Sequence, residues 1–399
     1  MKKVLFVINT LGRAGAEMAL LELLRQLSGH DVEISLYVLT GQGEMLDQLP
    51  EGVKLLNRKY CNCSVHTSEG KKKLAVTSLK ALFRRATVVR RFPYLVKQTF
   101  SMIKKGKIMP DKLLWRVLSD GAEFFKEEYD LAVAYIEGGS TYYVHDHVNA
   151  KKKAAFFHVD YSMAGYTRSL DKECYLQYDK VFPVSDEVKD AFLKVYPECK
   201  EKTEVFHNLI NQERVHRLSK EEGGFSDDYD GYRILTVGRL MAQKDFGQSI
   251  EAMKMLKDKG IKARWYILGE GEERENLEKL IEKLDLKNDF FLLGVTNNPY
   301  VYMAQADLYV HATRFEGKSI AIQEAQILGC SLLVSDCSGN REQVVHGVDG
   351  LLCELTPEGI CKGVITLLED EEKRKEYGKE AAKRKMTEST EIDKMLSLL

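Results

Sequence analysis

The amino-acid sequence predicts an α/β protein with two doubly wound domains. Short runs of β-branched and apolar residues, typical of buried strands, alternate with segments of helical character along most of the chain. Loops that contain glycine or charged residues follow these runs, at the strand ends where open α/β sheets bind ligands. The alternation restarts after a polar, acidic connector at residues 220–231, which indicates that each block folds around its own sheet.

The first block, residues 1–207, has predicted strands at 4–8, 32–39, 53–56, 129–136, 153–160 and 180–185. The second block, residues 208–374, has predicted strands at 233–237, 264–268, 290–294, 307–312 and 331–335. Residues 375–399 are expected to form a helical tail that packs back on the first domain. We therefore expect two Rossmann-like domains, with a basic amphipathic insertion at 71–118 in the first.

The bulk composition is ordinary for a globular protein. The chain has 399 residues, of which 44% are hydrophobic and 30% charged, and its net charge of -1 implies no nucleic-acid partner. The eight cysteines show no zinc-binding spacing, so we interpret them as reduced thiols of a cytoplasmic protein. The charged start and short apolar run at residues 1–8 predict a first strand and not a secretion signal, and no apolar stretch approaches membrane-spanning length.

A glycine-containing loop, residues 9–17, follows the first strand and leads into an amphipathic helix. Such a loop brings the backbone close to a ligand. However, Gly12 and Gly15 do not complete a GxGxxG fingerprint, and no acidic residue ends the second strand, which argues against a nicotinamide site. The sequence also lacks a GxxxxGK[ST] phosphate loop. The alternative is that these glycines only shape a tight turn.

Two carboxylates, Glu316 and Glu324, flank the junction between a loop and a helix in the second block. A helix that starts near Ser319 points backbone N–H groups and its positive dipole end at whatever binds there, which favours a phosphate. Carboxylates accept hydrogen bonds from sugar hydroxyls beside such a phosphate. The pattern therefore predicts a phosphorylated sugar as ligand. The alternative is that both glutamates are solvated charges on a helix face.

Other polar groups follow strands of the same block. Arg239 and Lys244 share one loop, where they could jointly neutralise a diphosphate. Gly269 and Gly271 form a turn after the next strand, and Gly294 ends the strand after that. For either cation alone, a surface salt bridge is the alternative role.

At this point the sequence resembles the retaining glycosyltransferases of family 4, which have the GT-B fold of two Rossmann-like domains facing across a cleft. Glu316 and Glu324 match the E-x7-E signature of that family. The downstream pattern of the family is similar to Gly329, Ser335, Asp336, Glu342 and residues 346–350. The Gly-Arg…Lys loop is similar at Gly238, Arg239 and Lys244, and the Gly-x-Gly turn at Gly269 and Gly271. The first glycine loop is similar at residues 12–17, and a strand-end histidine of the family matches His158. The ordered set across two domains is more specific than any one motif.

The resemblance implies a role for each matched residue. Arg239 and Lys244 would hold the donor diphosphate, and Glu324 would bind the ribose hydroxyls. Glu316 would contact the transferred sugar, and His158 would reach it from the other side of the cleft. The remaining donor-binding positions are Gly15, Gly238, Gly269, Gly271, Gly294, Ser319 and Ile320. Lys318 replaces the hydrophobic residue often found there, so the identity of the sugar cannot be transferred from the family.

The same resemblance implies a mechanism and partners. The donor would be a nucleotide-diphosphate sugar, with UDP as the expected nucleotide, and no cofactor or metal would be needed because two cations stabilise the leaving diphosphate. Domain closure would exclude water. His158 has an alternative role as a hydrogen-bonded histidine at the end of a strand. The first domain would bind the acceptor, a sugar that is expected to be lipid-linked.

The segment from Lys71 to Arg116 has nine lysines and five arginines but one acidic residue, Asp111. Apolar and aromatic residues lie between these charges, and Pro93 predicts a division into two helices. Basic amphipathic helices of this kind bind anionic membrane surfaces. We therefore predict a cytoplasmic protein on the inner face of the cell membrane that acts in bacterial surface polysaccharide synthesis. The alternative is a solvated helix face packed on the first sheet.

Two other functions are compatible with the predicted fold. A GT-B nucleotide-sugar epimerase shares the architecture, although the long basic segment favours transfer to an acceptor. A non-catalytic glycosyltransferase-like subunit that supports an active partner is the second alternative. Such a subunit would be expected to lack some of His158, Arg239, Lys244 and Glu316, and all four are present.

Overall fold

The computed structural model describes residues 1–65, 67–104, 109–384 and 390–399. The chain divides into two compact units, and the second begins at Ile210, three residues after the end of the predicted first block. Each unit contains one six-stranded, all-parallel sheet with helices between successive strands. The predicted α/β class with two doubly wound sheets is therefore confirmed.

The sheet of the first unit has the strand order β3-β2-β1-β4-β5-β6. Its strands are β1 (Lys2–Ile8), β2 (Val32–Val38), β3 (Lys54–Leu55), β4 (Glu128–Ala134), β5 (Asn149–Phe157) and β6 (Lys180–Pro183). The helices are α1 (Gly15–Leu27), α2 (Ser68–Phe83), α3 (Thr87–Lys104), α4 (Pro110–Gly121), α5 (Gly139–His147), α6 (Arg168–Asp171) and α7 (Asp186–Val195). Strands β1, β4 and β5 end in fully buried apolar residues because helices cover both faces of the sheet.

The second unit repeats the plan with the strand order β12-β11-β10-β7-β8-β9. After α8 (Gln212–Leu218) come β7 (Tyr232–Val237), α9 (Phe246–Asp258), β8 (Ala263–Leu268), α10 (Arg274–Lys283), β9 (Phe290–Gly294), α11 (Tyr300–Gln305) and β10 (Leu308–His311). The unit continues with α12 (Ile320–Ile327), β11 (Leu332–Ser335), α13 (Ser338–Gln343), β12 (Leu351–Cys353), α14 (Pro357–Leu368) and α15 (Glu371–Ala382).

Strand order determines where each sheet can bind a ligand. In the second unit β7 pairs with β8 on one side and with β10 on the other, with Leu235 opposite Tyr309. The direction of chain winding reverses between β7 and β10, which leaves a crevice at their carboxyl ends. The loops that follow these two strands carry Arg239, Lys244 and Glu316.

The basic segment differs from its prediction. The helical path breaks at a short 3₁₀ turn, Arg84–Ala86, and Pro93 lies inside α3. A proline removes one helical hydrogen bond without having to end the helix. The part of α3 after the proline is held by the Tyr94 hydroxyl, which donates to the Leu170 carbonyl at 2.8 Å, and by Gln98, which donates to the Ser169 carbonyl at 3.0 Å. Residues 105–108 of the segment lie outside the described residues.

The predicted tail, residues 375–399, divides between the two units. Its first part belongs to α15, which packs on α12 and α14 of the second unit. The last helix, α16 (Thr390–Leu396), belongs to the first unit, where Lys394 Nζ donates to the Val205 carbonyl at 2.7 Å and Glu391 accepts from the backbone N–H of His207 at 3.2 Å. Within the described ranges, none of the helices has the length and apolar character needed to cross a membrane.

Candidate active site

The loops after β7 and β10 are bonded to each other at the crevice of the second sheet. Gln243 donates from its side-chain amide to the Phe315 carbonyl at 2.7 Å, and the Gln243 carbonyl accepts from the backbone N–H of Arg314 at 3.0 Å. The Thr313 hydroxyl also donates to the Gln243 carbonyl, at 3.1 Å. These contacts bring residue 244 of one loop beside residue 316 of the other.

Lys244, His311 and Glu316 form a cluster at this point. Lys244 Nζ donates to Glu316 Oε2 in a short ion pair, and it lies 2.9 Å from His311 Nε2. His311 Nε2 lies 3.3 Å from the same Glu316 oxygen. His311 is 1% exposed, whereas the Lys244 and Glu316 side chains keep 13% and 17% exposure. His311 is therefore shielded from solvent in the core, while Lys244 and Glu316 remain partly accessible to solvent.

The environment of the cluster lowers the pKa values of both Glu316 and His311. Burial alone would raise the pKa of Glu316, but the Lys244 ammonium and His311 lower it to about 2. Burial and the neighbouring Lys244 charge lower the pKa of His311 to about 4. At neutral pH the cluster is thus an ammonium, a neutral imidazole and a carboxylate. Sequence reasoning missed His311, although a polar residue at the end of a buried strand was a usable signal.

Arg239 follows β7 in the same loop as Lys244. Its side chain is half-buried, and among the described residues it forms no hydrogen bond and no ion pair. A half-buried guanidinium that has no partner among the described residues is available to bind an anionic ligand. This observation distinguishes Arg239 from the salt-bridged surface arginine that was its alternative.

Glu324 lies in a different environment from Glu316. It is 8% exposed, and its Oε1 accepts from the Tyr300 hydroxyl of α11 at 2.7 Å. Burial raises the pKa of Glu324 to about 7, even though Tyr300 and the Arg214 charge act in the opposite direction. The alternative of two solvated helix-face charges is therefore wrong for this residue. Tyr300 and Arg214 were not identified from the sequence.

The backbone at the N-terminus of α12 is already hydrogen-bonded to a side chain of the protein. Ser319 is the N-cap, and its backbone N–H donates to Gln343 Oε1 at 2.7 Å, while Gln343 Nε2 donates to the Ser319 carbonyl at 2.8 Å. Ile320, the first helical residue, is 8% exposed. The predicted contact between a ligand and the Ser319 N–H would therefore require Gln343 to give up its hydrogen bond.

Two of the glycines predicted to bind the donor, Gly269 and Gly271, pack tightly against the backbone of a neighbouring loop. A Cβ at Gly269 would lie 1.9 Å from the Gly238 carbonyl oxygen, and one at Gly271 would lie 2.1 Å from the Leu240 carbonyl oxygen. Leu240 N–H donates to the Glu270 carbonyl at 3.0 Å. The turn after β8 is thus pressed against the loop that carries Arg239. Gly294 has a φ of +81°, which a side chain would strain.

The first unit holds the two remaining predicted residues, His158 and Gly15. His158 follows β5; its Nε2 donates to the Tyr135 carbonyl at 2.9 Å, so the lone pair is on Nδ1. Burial lowers the pKa of His158 to about 4, and its backbone N–H donates to the buried carboxylate of Glu137 at 3.1 Å. Gly15 is the exposed first residue of α1, whose N-cap Ala14 provides no side-chain cap.

One group of metal-ligand types occurs in the described part of the first unit. Ligand atoms of Asp120, Asp146 and His147 lie within 4.8 Å of one another. Arg91 pairs with Asp120, and Arg116 donates to Asp146 at 2.7 Å, so cations of the protein already neutralise both carboxylates. We interpret the group as an ion-pair network that joins α3, α4 and α5.

Comparison with solved structures identifies the class of fold, that of the GT-B glycosyltransferases. A mutant of S. aureus TarM in complex with fondaparinux, alpha-GlcNAc-glycerol and UDP matches with a TM-score of 0.68 and 13% identity, covering 100% of this chain and 99% of that chain. Anabaena HepE in complex with UDP-glucose matches with a TM-score of 0.67 and 16% identity, covering 100% of both chains. At these identities the likeness shows the fold alone.

Sequence comparison finds relatives for part of the chain. Residues 223–384 match the family described as glycosyl transferases group 1. A Campylobacter jejuni protein, N-acetylgalactosamine-N,N'-diacetylbacillosaminyl-diphospho-undecaprenol 4-alpha-N-acetylgalactosaminyltransferase, is 32% identical over 212 residues, 53% of this chain and 56% of that protein.

A second relative is the poly(glycerol-phosphate) alpha-glucosyltransferase of Bacillus subtilis. It is 29% identical over 154 residues, which are 38% of this chain and 23% of that protein. The chain thus spans about half the length, or less, of these two curated relatives. Over the matched part of the chain, these comparisons support the resemblance to glycosyltransferases at the level of group 1.

Proposed function

We propose that this chain is a retaining glycosyltransferase that moves a sugar from a nucleotide-diphosphate sugar, a UDP-sugar, to a hydroxyl of a sugar acceptor. The observation that carries this proposal is the pair of cations in one loop of the second unit. Arg239 lacks a partner among the described residues, and Lys244 has one face open beside Glu316. Two cations at the carboxyl ends of parallel strands suit a diphosphate.

The proposed roles follow from the chemistry of each residue. Arg239 and Lys244 stabilise the negative charge that develops on the diphosphate as the bond to the sugar breaks. Glu316 is ionised at neutral pH and accepts hydrogen bonds from sugar hydroxyls. Glu324 and Tyr300 bind the ribose. His158 acts on the donor sugar by the family resemblance, with Nδ1 as the available acceptor.

The reaction retains the anomeric configuration, by the same resemblance, and the protein's cations replace a metal in this proposal. The departing phosphate takes the proton of the incoming hydroxyl on the same face of the sugar. UDP as the nucleotide is supported by TarM and HepE, whose structures contain UDP or UDP-glucose. The catalysed transfer needs no cofactor beyond the donor substrate.

A lipid-linked acceptor is the second part of the proposal, supported by the surface of α2 and α3. Apolar side chains that are at least half exposed lie along these helices, at Leu79, Phe83, Val89, Phe92, Phe100 and Ile103. Exposed cations lie beside them, at Lys72, Lys80, Arg90, Lys97 and Lys104. Exposed apolar groups that are flanked by cations are better suited to contact with an anionic membrane surface than to contact with water.

We infer a peripheral position on the cytoplasmic face of the cell membrane and an acceptor that is made there for bacterial surface polysaccharide. The C. jejuni relative is named for a diphospho-undecaprenol acceptor, which supports this class of acceptor. The chemistry of the second unit and the surface of the first unit are independent observations. The proposed reaction and the proposed membrane position can therefore be refuted separately.

The experiment that tests the reaction uses a panel of UDP-, GDP- and ADP-sugars with excess chelator present. Turnover of one donor, with the product anomeric centre matching the donor by NMR, is the expected result. An inverted product or strict dependence on added manganese would refute retention or metal independence. A sugar epimerised at another carbon, with no transfer or hydrolysis, would support the epimerase alternative instead.

A further inference from the structure

The Lys244–His311–Glu316 cluster contains a group that none of the matched motifs includes. The Lys244 ammonium donates both to Glu316 Oε2 and to His311 Nε2. An ammonium can donate only to the lone pair of a ring nitrogen, so Nε2 is unprotonated and the proton lies on Nδ1. Nδ1 is buried and, among the described residues, lacks a hydrogen-bond partner. The imidazole is thus held in an arrangement that depends on Lys244.

Two charged groups of the described residues act on His311. Lys244 approaches from the loop after β7, and Glu316 approaches from the loop before α12. The Tyr309 ring of the same strand lies 6.3 Å from the imidazole, and Cys337, the N-cap of α13, interacts with both charged residues. Burial raises the pKa of the Tyr309 hydroxyl and of the Cys337 thiol, so both are neutral at physiological pH.

Binding of the donor would weaken the ion pair between Lys244 and Glu316. A diphosphate brings two or more negative charges to the loop that carries Lys244, and the ammonium can turn toward them. Glu316 would then lose its cation while it remains largely desolvated, and an unpaired buried carboxylate is strongly unfavourable. His311 Nε2 is 3.3 Å from Glu316 Oε2, close enough to donate once it is protonated.

We propose that His311 takes up a proton when the donor diphosphate draws Lys244 away from Glu316, and that the imidazolium becomes the new partner of Glu316. The proton comes from solvent, and no other bond forms or breaks. The carboxylate thus keeps a charged partner and a fixed orientation toward the sugar. In this role His311 is a positioning residue, which acts through Glu316 and does not contact the substrate.

Donor binding makes two electrostatic changes around His311, and both act on its pKa in the same direction. Loss of the Lys244 charge and gain of the diphosphate charge each raise the pKa of His311 from about 4. Protonation and diphosphate binding therefore favour each other, so affinity rises as pH falls through the pKa of the bound state. If that pKa returns to the ordinary value near 6.5, binding takes up about 0.75 proton at pH 6.

The inference rests on the proposed function, because it requires a diphosphate site at Lys244. The test is calorimetric binding of UDP, GDP, ADP and inorganic pyrophosphate at pH 6 in two buffers of different ionisation enthalpy. The difference between the heats measures proton uptake. Wild type is compared with His311→Gln, whose amide can still pair with Glu316 but cannot titrate. His30→Gln, at an exposed histidine of the first unit, is the matched control.

We expect about 0.75 proton more uptake in wild type and in His30→Gln than in His311→Gln, with the same diphosphate. Any titration of the ligand itself cancels in this difference. Equal uptake in wild type and His311→Gln would overturn the inference while leaving a nucleotide site in place. If none of the four ligands binds, the diphosphate site is absent and both proposals fall.

A second measurement needs no substitution. The NMR resonance of the His311 Cε1 proton in wild type should titrate near pH 4 in the free protein and at least one pH unit higher with bound diphosphate. A purely structural histidine would keep its titration unchanged on binding. Proton uptake with pyrophosphate, but no turnover of any nucleotide sugar, would support the inference and refute the proposed function.

Discussion

Lys244 and Glu316 form an ion pair across 72 residues of sequence, between the loop after β7 and the loop before α12. The pair connects a diphosphate-binding lysine and a sugar-binding glutamate of the proposed mechanism before any substrate is present. It also means that replacing either residue affects stability as well as turnover, because the remaining partner stays partly buried.

Lys244→Ala and Arg239→Ala should separate these two effects. Both should reduce turnover on the order of 100-fold, since removing one electrostatic contact to a developing charge costs about 2–4 kcal/mol in the transition state. Only Lys244→Ala should also lower the free energy of unfolding, by about 1–3 kcal/mol, because it leaves Glu316 without its ammonium. Arg239 has no partner among the described residues to lose.

Turnover and thermal unfolding at pH 7 measure the two quantities. Lys279→Ala, at an exposed lysine of α10, is the control for loss of one positive charge and should change neither. Wild-type turnover in both site variants would refute the donor site. Equal destabilisation by both variants would contradict the difference in their partners.

Glu324→Gln should change how stability depends on pH. The pKa of this carboxyl is raised from 4.5 to about 7 in the folded protein. The folded state therefore binds more protons than the unfolded chain in this interval, and the stability contributed below pH 4.5 is lost as pH rises to 7. Glu324→Gln removes that loss, so the variant should gain about 1–3 kcal/mol over wild type at pH 8 relative to pH 4.5.

Chemical unfolding of both proteins from about pH 4.5 to about pH 8, the interval that spans the shifted titration, provides the measurement. Glu275→Gln, at an exposed glutamate of α10, is the control and should follow wild type throughout. Parallel pH profiles for wild type and Glu324→Gln would contradict a raised pKa. The same variant should lose affinity for the nucleotide if Glu324 binds the ribose.

Arg90 and Arg91 are neighbours on α3 with different expected effects. Arg90 is exposed, whereas Arg91 Nη2 lies 3.0 Å from an oxygen of Asp120, which is 1% exposed. Burial would raise the pKa of Asp120, but His147 and Arg91 hold it well below its ordinary value. Arg91→Gln should therefore lower the free energy of unfolding by about 1–3 kcal/mol, and Arg90→Gln should leave it unchanged. Equal melting temperatures for the two variants would show that the Arg91 pair does not stabilise α3.

Membrane binding should depend on the exposed cations of α2 and α3. Arg91 is unsuitable for this test because it holds Asp120, and Arg84 donates to the Gly121 carbonyl at 3.2 Å. Joint replacement of the exposed residues by glutamine should weaken binding to anionic vesicles at low salt at least about tenfold, since each contributes about 1 kcal/mol. The residues are Lys80, Arg90, Lys97 and Lys104.

Co-sedimentation with phosphatidylglycerol and phosphatidylcholine vesicles measures this binding. The matched control replaces four exposed lysines of the second unit by glutamine, at Lys259, Lys279, Lys283 and Lys287. Donor hydrolysis should survive in both variants. Equal binding of wild type to anionic and neutral vesicles, or equal loss in the control, would exclude a specific role for α2 and α3.

The strands and the two-domain plan could be predicted because they depend on local patterns. Buried parallel strands require runs of apolar residues, and their ends are marked by glycine and polar residues, as at Val237–Gly238 and His311–Thr313. The break in the basic segment could not be predicted in this way. Pro93 is a local signal for a break, but contacts of Tyr94 and Gln98 with residues more than 70 positions away keep α3 continuous.

The sequence by itself determined which residues stand after the strands of the second sheet, and thus that Arg239, Lys244, Glu316 and Glu324 are candidates. Only the tertiary structure decided their partners: His311 and Glu316 for Lys244, Tyr300 for Glu324, and no described residue for Arg239. The physical reason is that charge, burial and pKa depend on distances between groups far apart in the chain, and local periodicity contains no information about those distances.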